Sequence, residues 1–291
     1  MIRVCLVGVG KTGKEIAKVL MEQQDMKLVA AVCRPGSEKE GKDLGEIIGC
    51  GSTGILVSGS DKLEEIIFKS KPDVVIDFSS PEATMRNARI FSKMKVSIVI
   101  ATTGFSKFAL KKLFVLARKY HNGIVYAPNI TLGVNVLMLL SNIASNILNN
   151  YDFQITEIHH KRKKDAPSGT AFKIAREIEK GLKSSGRDVS ESDIPIAAIR
   201  AGGVVGKHEV MIIGEEDKIE ISHESFSRKA FALGAIRAAR FVYKRSGYFE
   251  MTDVLNLSKV LGDYVEKENT RLSKRYRKYD KEKSETEESL A

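Results

Sequence analysis

Tryptophan is absent from the 291 residues of this chain, and cysteine occurs only three times. The odd number of cysteines and the lack of any CxxC spacing argue against a disulfide framework and a zinc site, so we interpret Cys5, Cys33 and Cys50 as reduced thiols. Long hydrophobic runs are also missing, since no segment reaches the about 18 consecutive apolar residues of a membrane span. No cationic leader precedes the first apolar run, MIRVCLVGVG. We therefore expect a cytoplasmic, metal-free protein of about two domains.

Charge of one sign is in excess, with a formal net charge of +10. Such an excess raises the possibility of a nucleic-acid binder. Residues 266–291 carry eight Lys or Arg and seven Asp or Glu, so they contribute only +1 and the excess lies in the rest of the chain. A positive cleft there would concentrate small anionic ligands. We expect an anionic small-molecule substrate and cofactor, and neither a nucleic acid nor a membrane as partner.

A dinucleotide-binding fingerprint follows the first strand. The short apolar run of residues 2–7 leads directly into Gly8-Val9-Gly10-Lys11-Thr12-Gly13, and helical spacing continues through residues 16–20. This strand, GxGxxG and helix order is the context in which the motif is meaningful. Gly8 permits the tight turn, Gly10 lets a pyrophosphate approach the backbone, and Gly13 allows close packing of helix on strand.

The end of the second strand bears on the choice of cofactor. The strand predicted over 27–32 ends at Cys33-Arg34, where an NAD-binding protein usually carries Asp or Glu. Arg34 is suited to pair with a 2′-phosphate, and Lys11 in the glycine loop can assist. The sequence therefore predicts NADPH in preference to NADH, with NADH also accepted as the open alternative.

The remaining periodicity predicts two sheets. Further parallel strands, separated by helical stretches, are expected at 73–78, 96–100 and 124–127. After a helix near 132–149, strand-like stretches come close together at 153–159, 194–200, 207–213 and 217–223, and helical spacing returns at 229–245. The predicted fold class is α/β, with a Rossmann-type parallel sheet domain and a second α+β domain that has an open mixed sheet.

A basic block precedes one predicted helix. Two imidazoles and four cationic side chains stand in the run HHKRKKDAPSGTA at 159–171. Pro167 and Ser168 are typical helix-start residues, and backbone N–H groups at a helix start favour a carboxylate. His and Lys are available as proton donors. The block therefore suits a small, multiply anionic substrate that must also be protonated.

The same block resembles the signature of the dihydrodipicolinate reductase (4-hydroxy-tetrahydrodipicolinate reductase) family. Other blocks of that family follow in the same order, covering most of residues 1–260: DFSSPEAT at 77–84, ATTGF at 101–105, NITLGVNV at 129–136, RAGGVVGKH at 200–208 and SRKAFALGAIRAA at 227–239. The resemblance implies NAD(P)H-dependent reduction of 4-hydroxy-tetrahydrodipicolinate to tetrahydrodipicolinate in diaminopimelate and lysine biosynthesis. It also implies a homotetramer.

The resemblance further implies the roles of individual residues. His159 is the first candidate for the general acid, and Lys163 could donate the proton instead while His159 orients the substrate; the sequence leaves both assignments open. The substrate carboxylates would be held by His160, Lys161, Ser168, Gly169 and Thr170. Cofactor binding would involve Gly8, Gly10, Lys11, Thr12, Gly13 and Arg34, with Thr103, Gly104, Ala127 and Asn129 around the nicotinamide. We interpret Asp165 as a partner that fixes the basic loop, and His121, His208 and His223 as structural.

The predicted domains are discontinuous. Residues 1–129 and 230–265 would form the dinucleotide-binding domain, and 130–229 the substrate-binding and oligomerisation domain. Residues 266–291 would be a charged tail, as a frayed helix or disordered. Two alternative functions remain: a reductase or dehydrogenase of another amino or imino acid, and a non-catalytic NADPH-binding sensor.

Overall fold

Seven parallel strands form the larger sheet in the computed structural model, which describes the backbone of residues 1–290 and the side chains of residues 1–273 and 275. The strands are β1 (Ile2–Val7), β2 (Met26–Cys33), β3 (Val57–Gly59), β4 (Val74–Asp77), β5 (Ser97–Ile100), β6 (Gly123–Tyr126) and β11 (Gly247–Glu250). Their order is β11-β6-β5-β4-β1-β2-β3. Without β11 this is the strand order of a dinucleotide-binding sheet, whose ligands bind at the carboxyl ends of the strands.

Helices accompany this sheet because its strands are apolar on both faces. Strands β4 and β5 are buried at every position, as expected for parallel strands covered on two sides. The helices in this part of the chain are α1 (Lys11–Met21), α2 (Leu44–Ile48), α3 (Leu63–Ser70), α4 (Pro81–Lys93), α5 (Lys107–Tyr120) and α8 (Lys229–Val242). Helix α8 packs against α1 and against β4, β5 and β6, although more than half of the chain separates it from α1.

A smaller, mixed sheet follows residue 150. Its strands are β7 (Asp152–His159), β8 (Ile196–Arg200), β9 (Gly206–Ile213) and β10 (Lys218–Ser225), in the order β10-β9-β7-β8. Strands β7 and β8 are parallel, and the other two pairs are antiparallel. Helices α6 (Leu132–Ile147) and α7 (Gly169–Ser184) contribute Leu137, Ile174 and Ile178 to the apolar core of this sheet.

Along strand β7 the buried positions change from apolar to ionisable residues. Phe153 and Ile155 are buried, and the two-residue period of a strand places Glu157 and His159 on the same buried face. Two ionisable side chains therefore end a row that begins in the core of the smaller sheet.

The predicted fold class is confirmed, and the elements that pattern analysis did not find are short. Strands β3 and β11 and helix α2 have three to five residues each, too few for a period to be visible. The contacts divide the chain into two compact units, residues 1–251 and 252–291. The predicted domain boundaries within the first unit stay a prediction.

The end of the chain is helical. A short helix α9 (Met251–Leu255) precedes α10 (Leu257–Leu290), and the side chains beyond residue 275 lie outside the described part of the chain. The sequence left a frayed helix and disorder open for the tail. The backbone of residues 266–290 is helical, and residue 291 lies outside the described part of the chain. Among the described residues, none of the helices combines the length and the apolar character that a membrane crossing requires.

Candidate active site

The first cavity lies at the carboxyl ends of β1, β2 and β4 and has a volume of ≈ 630 Å³. Three residues predicted to bind a dinucleotide line it: Gly8, Gly10 and Arg34. The glycine loop follows β1, Arg34 follows β2, and Ser79 and Ser80 follow β4. This edge is where an open α/β sheet binds a dinucleotide.

The glycine loop is shaped for close approach of a ligand. Gly8 has a φ of +94°, and a Cβ on it would lie 2.6 Å from the carbonyl oxygen of Phe78. Gly13 is buried, and a Cβ on it would collide with the Gly8 carbonyl, whereas a Cβ on Gly10 would meet nothing within 4 Å. Gly8 and Gly13 thus hold the turn, and the space over Gly10 is open to a pyrophosphate.

An unpaired donor also points to a ligand in this cavity. Asn87 is buried and lines the cavity, and its Nδ2 has no hydrogen-bond partner among the residues that the structure describes. A buried amide without an acceptor is unfavourable in an empty site, so a bound ligand oxygen or nitrogen would satisfy it. The glycine loop and Asn87 together fit a dinucleotide cofactor.

The ribose end of this cavity carries charges of both signs. Arg34 and Lys39 line it, as predicted for Arg34, but so does Glu38, which the sequence analysis did not consider. Arg86 of α4 lines it as well. The three cations suit a 2′-phosphate, whereas the acid suits free ribose hydroxyls.

The second cavity, of ≈ 300 Å³, is lined by residues of the smaller sheet and by residues from α1 and from the loops that follow β5 and β6. From the cofactor side come Thr12, Thr103 and Asn129, and from the basic block come His159, His160, Lys163 and Thr170. Predicted residues far apart in the chain thus meet around one space. The cavity is also lined by residues absent from the prediction, namely His208, His223, Ser225 and Arg228.

The other predicted residues surround these cavities without lining them. Lys11, Lys161 and Gly169 are exposed, Gly104 forms a turn with φ +89°, and Ala127 is buried with its N–H bonded to the Ile100 carbonyl at 2.8 Å. Gly13 is a packing residue under Gly8. Ser168 is 2% exposed, and its polar groups bond within the protein.

A buried carboxylate lies beside the predicted general acid. Glu157 is 0% exposed and contacts Nδ1 of His159. Nη1 and Nη2 of Arg200 donate to its two oxygens at 2.9 and 2.6 Å, and the Ser168 N–H donates at 3.1 Å. Burial opposes ionisation of Glu157, but the hydrogen bonds from Arg200 and His159 outweigh it and hold the pKa of the carboxyl below its ordinary value.

The rings of two histidines contact each other next to this carboxylate. The rings of His159 and His208 meet edge to face at 5.2 Å, and Nε2 of His208 lies 3.2 Å from Oγ of Ser168. Burial lowers the pKa of His208 to about 3, so this imidazole is neutral near pH 7. Burial also lowers the pKa of His159, although the hydrogen bond to Glu157 opposes that shift. His159 is therefore a stronger acid than an ordinary imidazolium, and a smaller fraction of it is protonated at a given pH.

The ligand atoms of Glu157, His159 and His208 lie within 4.8 Å of one another, which is the spacing of a candidate cation site. The guanidinium of Arg200 already contacts both oxygens of Glu157 and supplies the positive charge that the buried carboxylate needs. We therefore interpret this cluster as a proton-handling group.

The basic loop is held to the same cluster. Nζ of Lys163 lies 2.8 Å from the Asp165 carboxylate, and the Asp165 carbonyl accepts a hydrogen bond from Arg200 at 2.5 Å. Asp165 therefore has the loop-fixing contacts expected of it, while the Lys163 side chain still lines the cavity.

The start of α7 completes the site. Oγ of Ser168 accepts the Ala171 N–H at 3.2 Å as an N-cap, and Oγ1 of Thr170 donates to Oδ1 of Asn129 at 2.8 Å. Gly169 and Thr170 occupy the first two helical positions, whose N–H groups lack intrahelical acceptors. Thr170 lines the cavity, so an anion there would lie near the positive end of the helix dipole.

Comparison with known proteins agrees with this geometry. Residues 2–130 match the family model described as dihydrodipicolinate reductase, N-terminus, and residues 133–255 match dihydrodipicolinate reductase, C-terminus. The chain belongs to the dihydrodipicolinate reductase family. The resemblance inferred from the basic block is thereby confirmed.

Relatives in this family match over nearly their whole length. A 4-hydroxy-tetrahydrodipicolinate reductase of Methanopyrus kandleri is 40% identical over 268 residues, or 88% of this chain and 97% of the relative. That of Methanocaldococcus jannaschii is 36% identical over 272 residues, or 89% and 99%. Among solved structures, dipicolinate-bound dihydrodipicolinate reductase from Paenisporosarcina sp. TG-14 is similar with a TM-score of 0.71 and 29% identity, over 86% of this chain and 97% of that one.

The dihydrodipicolinate reductase fold is also shared more widely. An amine dehydrogenase from Mycobacterium smegmatis has a TM-score of 0.62 at 14% identity, over 85% of this chain and 94% of that chain. At that identity the likeness concerns the fold alone. The family is a Rossmann-fold oxidoreductase family, which implies a nicotinamide cofactor.

Proposed function

We propose that this protein reduces 4-hydroxy-tetrahydrodipicolinate to tetrahydrodipicolinate on the route to diaminopimelate and lysine. The observation that carries the proposal is the second cavity, where Thr12 of the glycine-loop region shares one space with His159 and Lys163. The family of this protein and the names of the relatives support this substrate. The cavity walls also suit a dicarboxylate, because Lys163 and Arg228 offer positive charge and α7 offers its N-terminus.

In this proposal the protein supplies position and protons. A bound nicotinamide dinucleotide supplies the hydride. His159 donates a proton to the ring atom that becomes electron-rich, and Lys163 holds a carboxylate or stabilises developing negative charge. Thr170 and His160 orient the substrate from the cavity wall. Lys161, Ser168 and Gly169, which do not line the cavity, remain predicted substrate-binding residues.

The test compares His159→Gln and Lys163→Ala with wild type. Loss of a general acid or of a charge-stabilising cation is expected to lower kcat by about 10²-fold or more while NADPH affinity stays unchanged. The measurement is the absorbance of NADPH during turnover of freshly prepared 4-hydroxy-tetrahydrodipicolinate, with cofactor affinity taken from fluorescence titration.

Matched controls separate the site from general effects. His121→Gln changes an exposed histidine at the end of α5, and Lys164→Ala changes an exposed neighbour in the basic loop. Both should retain wild-type turnover. No wild-type turnover on this substrate, with turnover of another imino acid, would favour a different reductase. Firm NADPH binding without turnover of any imino acid would favour a sensor.

The cofactor proposed is NADPH, with NADH as a weaker alternative. Arg34 and Lys39 support binding of a 2′-phosphate, and Glu38 supports binding of ribose hydroxyls. Arg34→Ala is expected to lower kcat/KM for NADPH by about tenfold or more, since a charged hydrogen bond contributes about 1.5–3 kcal/mol. The same change should leave kcat/KM for NADH nearly constant.

Glu38→Gln is the matched variant and is expected to reduce use of NADH more than use of NADPH. Steady-state kinetics with each cofactor measure both effects. A preference for NADH that persists in Arg34→Ala would contradict the proposal.

The oligomeric state and the domain division that we propose are those that the family resemblance implies. The proposed state is a cytoplasmic homotetramer built through the smaller sheet, and the exposed Ile199, Ile213 and Ile219 on its strands support that surface as the interface. The proposed division assigns 1–129 and 230–265 to cofactor binding and 130–229 to substrate binding and oligomerisation.

A further inference from the structure

We propose that Glu157 is a positioning residue for His159, holding the Nδ1–H so that Nε2 is the nitrogen that delivers the proton. The inference rests on the proposed function, in which His159 is the acid. It concerns a residue outside the basic block, two positions before it in β7.

The strand dictates the pairing of the two side chains. Glu157 and His159 are two residues apart on β7 and are both buried on the face that continues from Phe153 and Ile155. The strand lies between β8 and β9, and the Ala201 N–H donates to the His159 carbonyl at 2.9 Å. The backbone under the pair is therefore fixed on both sides, and the carboxylate stays at the imidazole.

The carboxylate is held as an ionised acceptor by groups from separate elements. Arg200 at the end of β8 donates to both oxygens, and the Ser168 N–H at the start of α7 donates to Oε1. A buried carboxylate needs this pairing, because an uncompensated buried charge is strongly destabilising. The position at Nδ1 then favours a donor, which the imidazole supplies as Nδ1–H.

The opposite nitrogen lies next to a residue of the cavity wall. A Cβ built on Gly206, which lines the cavity, would lie 3.0 Å from Nε2 of His159. In the proton step the Nε2–H bond breaks, its electron pair stays on Nε2, and the proton bonds to the electron-rich substrate atom. The imidazole then returns to the neutral form with Nδ1–H still bonded to Glu157.

Several titratable groups surround this imidazole. Glu157 lies beside it on β7, Arg200 on β8 and His208 on β9, with Lys163 on the basic loop. Glu157 supplies the negative charge that stabilises the imidazolium, whereas Arg200 and Lys163 destabilise it. Removing the carboxylate should therefore make His159 a stronger acid that is less often protonated.

The test uses Glu157→Gln, with Glu157→Asp as the charge-retaining variant. In Glu157→Gln, the part of the pH profile on which kcat falls as the pH rises (the pH limb) is expected to move to lower pH. At a fixed pH on that part of the profile, kcat should fall about tenfold for each unit by which the pKa decreases. Glu157→Asp should keep the limb near its wild-type position. Glu209→Gln is the matched control, since Glu209 pairs with Lys207 at 2.8 Å on the same sheet and does not line the cavity.

Imidazole ¹⁵N NMR supplies a readout independent of turnover. Wild type and Glu209→Gln should show the Nδ1–H tautomer of His159, and Glu157→Gln a mixture, because an amide can either accept or donate at Nδ1. If Glu157→Gln fails to fold, as judged by circular dichroism, the pH limb and the tautomer of Glu157→Asp decide.

The outcomes separate this inference from the proposed function. Wild-type turnover, with a pH limb and tautomer in Glu157→Gln equal to those of Glu209→Gln, would overturn the role of Glu157 and leave the reductase intact. Absence of wild-type turnover would remove the proposed function, and the tautomer spectrum would then support or overturn the assignment of Nδ1–H on its own.

Discussion

A glycine keeps the approach to the predicted proton donor open. Gly206 is the first residue of β9, and an added Cβ would lie 3.0 Å from Nε2 of His159 and 3.4 Å from its Cδ2. The distance to Nε2 is shorter than ordinary van der Waals contact, and the distance to Cδ2 lies at its lower limit. A methyl group there would therefore push the imidazole or shield its outward nitrogen.

We expect Gly206→Ala to lower kcat by about 10²-fold, the effect of a displacement of about 1 Å in a reacting group. NADPH binding should be unchanged, because Gly206 does not line the first cavity, where Gly8 and Gly10 lie. Gly203→Ala is the control, since a Cβ at Gly203 meets nothing within 4 Å. Kinetics and fluorescence titration measure the two effects, and an equal loss in both variants would contradict the steric argument.

At the residue scale, the sequence indicated candidate site residues within the basic block more clearly than those on the neighbouring strands. His159, His160, Lys163 and Thr170 line one cavity with Thr12, Thr103 and Asn129, and the roles that the family resemblance implies for them stay predictions. His208 and His223 were interpreted as structural, yet both line the same cavity. Isolated histidines in alternating strands carry no local signal, and only the pairing of β9 with β10, which sets His208 opposite His223, brings them together.

The start of α7 connects the site to the framework at the scale of elements. Ser168 caps the helix through Ala171, its N–H bonds to Glu157, and its Oγ lies 3.2 Å from His208. A single buried serine thus ties the helix to β7 and β9. The orientation of the first N–H groups of α7 depends on this connection.

Ser168→Ala is expected to lower the free energy of unfolding by about 1 kcal/mol from loss of the cap, and to raise KM for the dicarboxylate. Ser106→Ala removes the cap of α5, where Oγ accepts the Ala109 N–H at 3.2 Å and the residue does not line the cavity. It should cost similar stability and leave KM unchanged. Denaturant unfolding and steady-state kinetics would distinguish them, and a KM increase in both would argue against a role for α7 in binding.

Elements with a clear period were predictable, and the others depended on tertiary pairing. Predicted strands at 153–159 and 207–213 correspond to β7 and β9 within one residue at either end. Strand β11, with four residues, exists because β6 offers a parallel edge for Gly247–Glu250. Its sequence, GYFE, has no alternation that could reveal this pairing.

At the scale of the whole molecule, residues from both ends of the first unit build the larger sheet. Helix α8 covers β4 to β6 and packs against α1, and Arg240 of α8 forms a bidentate pair with Asp25 at 2.7 Å. The sequence suggested the return of this helix through family resemblance alone. Periodicity does not encode which sheet a helix covers, so the position of α8 on the larger sheet could not be predicted from it.

The position of β11 has a consequence for synthesis on the ribosome. Strand β6 ends at Tyr126 and its neighbour β11 begins only at Gly247. At about 5–20 residues per second, the intervening segment takes roughly 6–24 s to emerge. Throughout that interval β6 is an open edge that can pair with another chain. The nascent chain is therefore most vulnerable to aggregation while the smaller sheet is still being made.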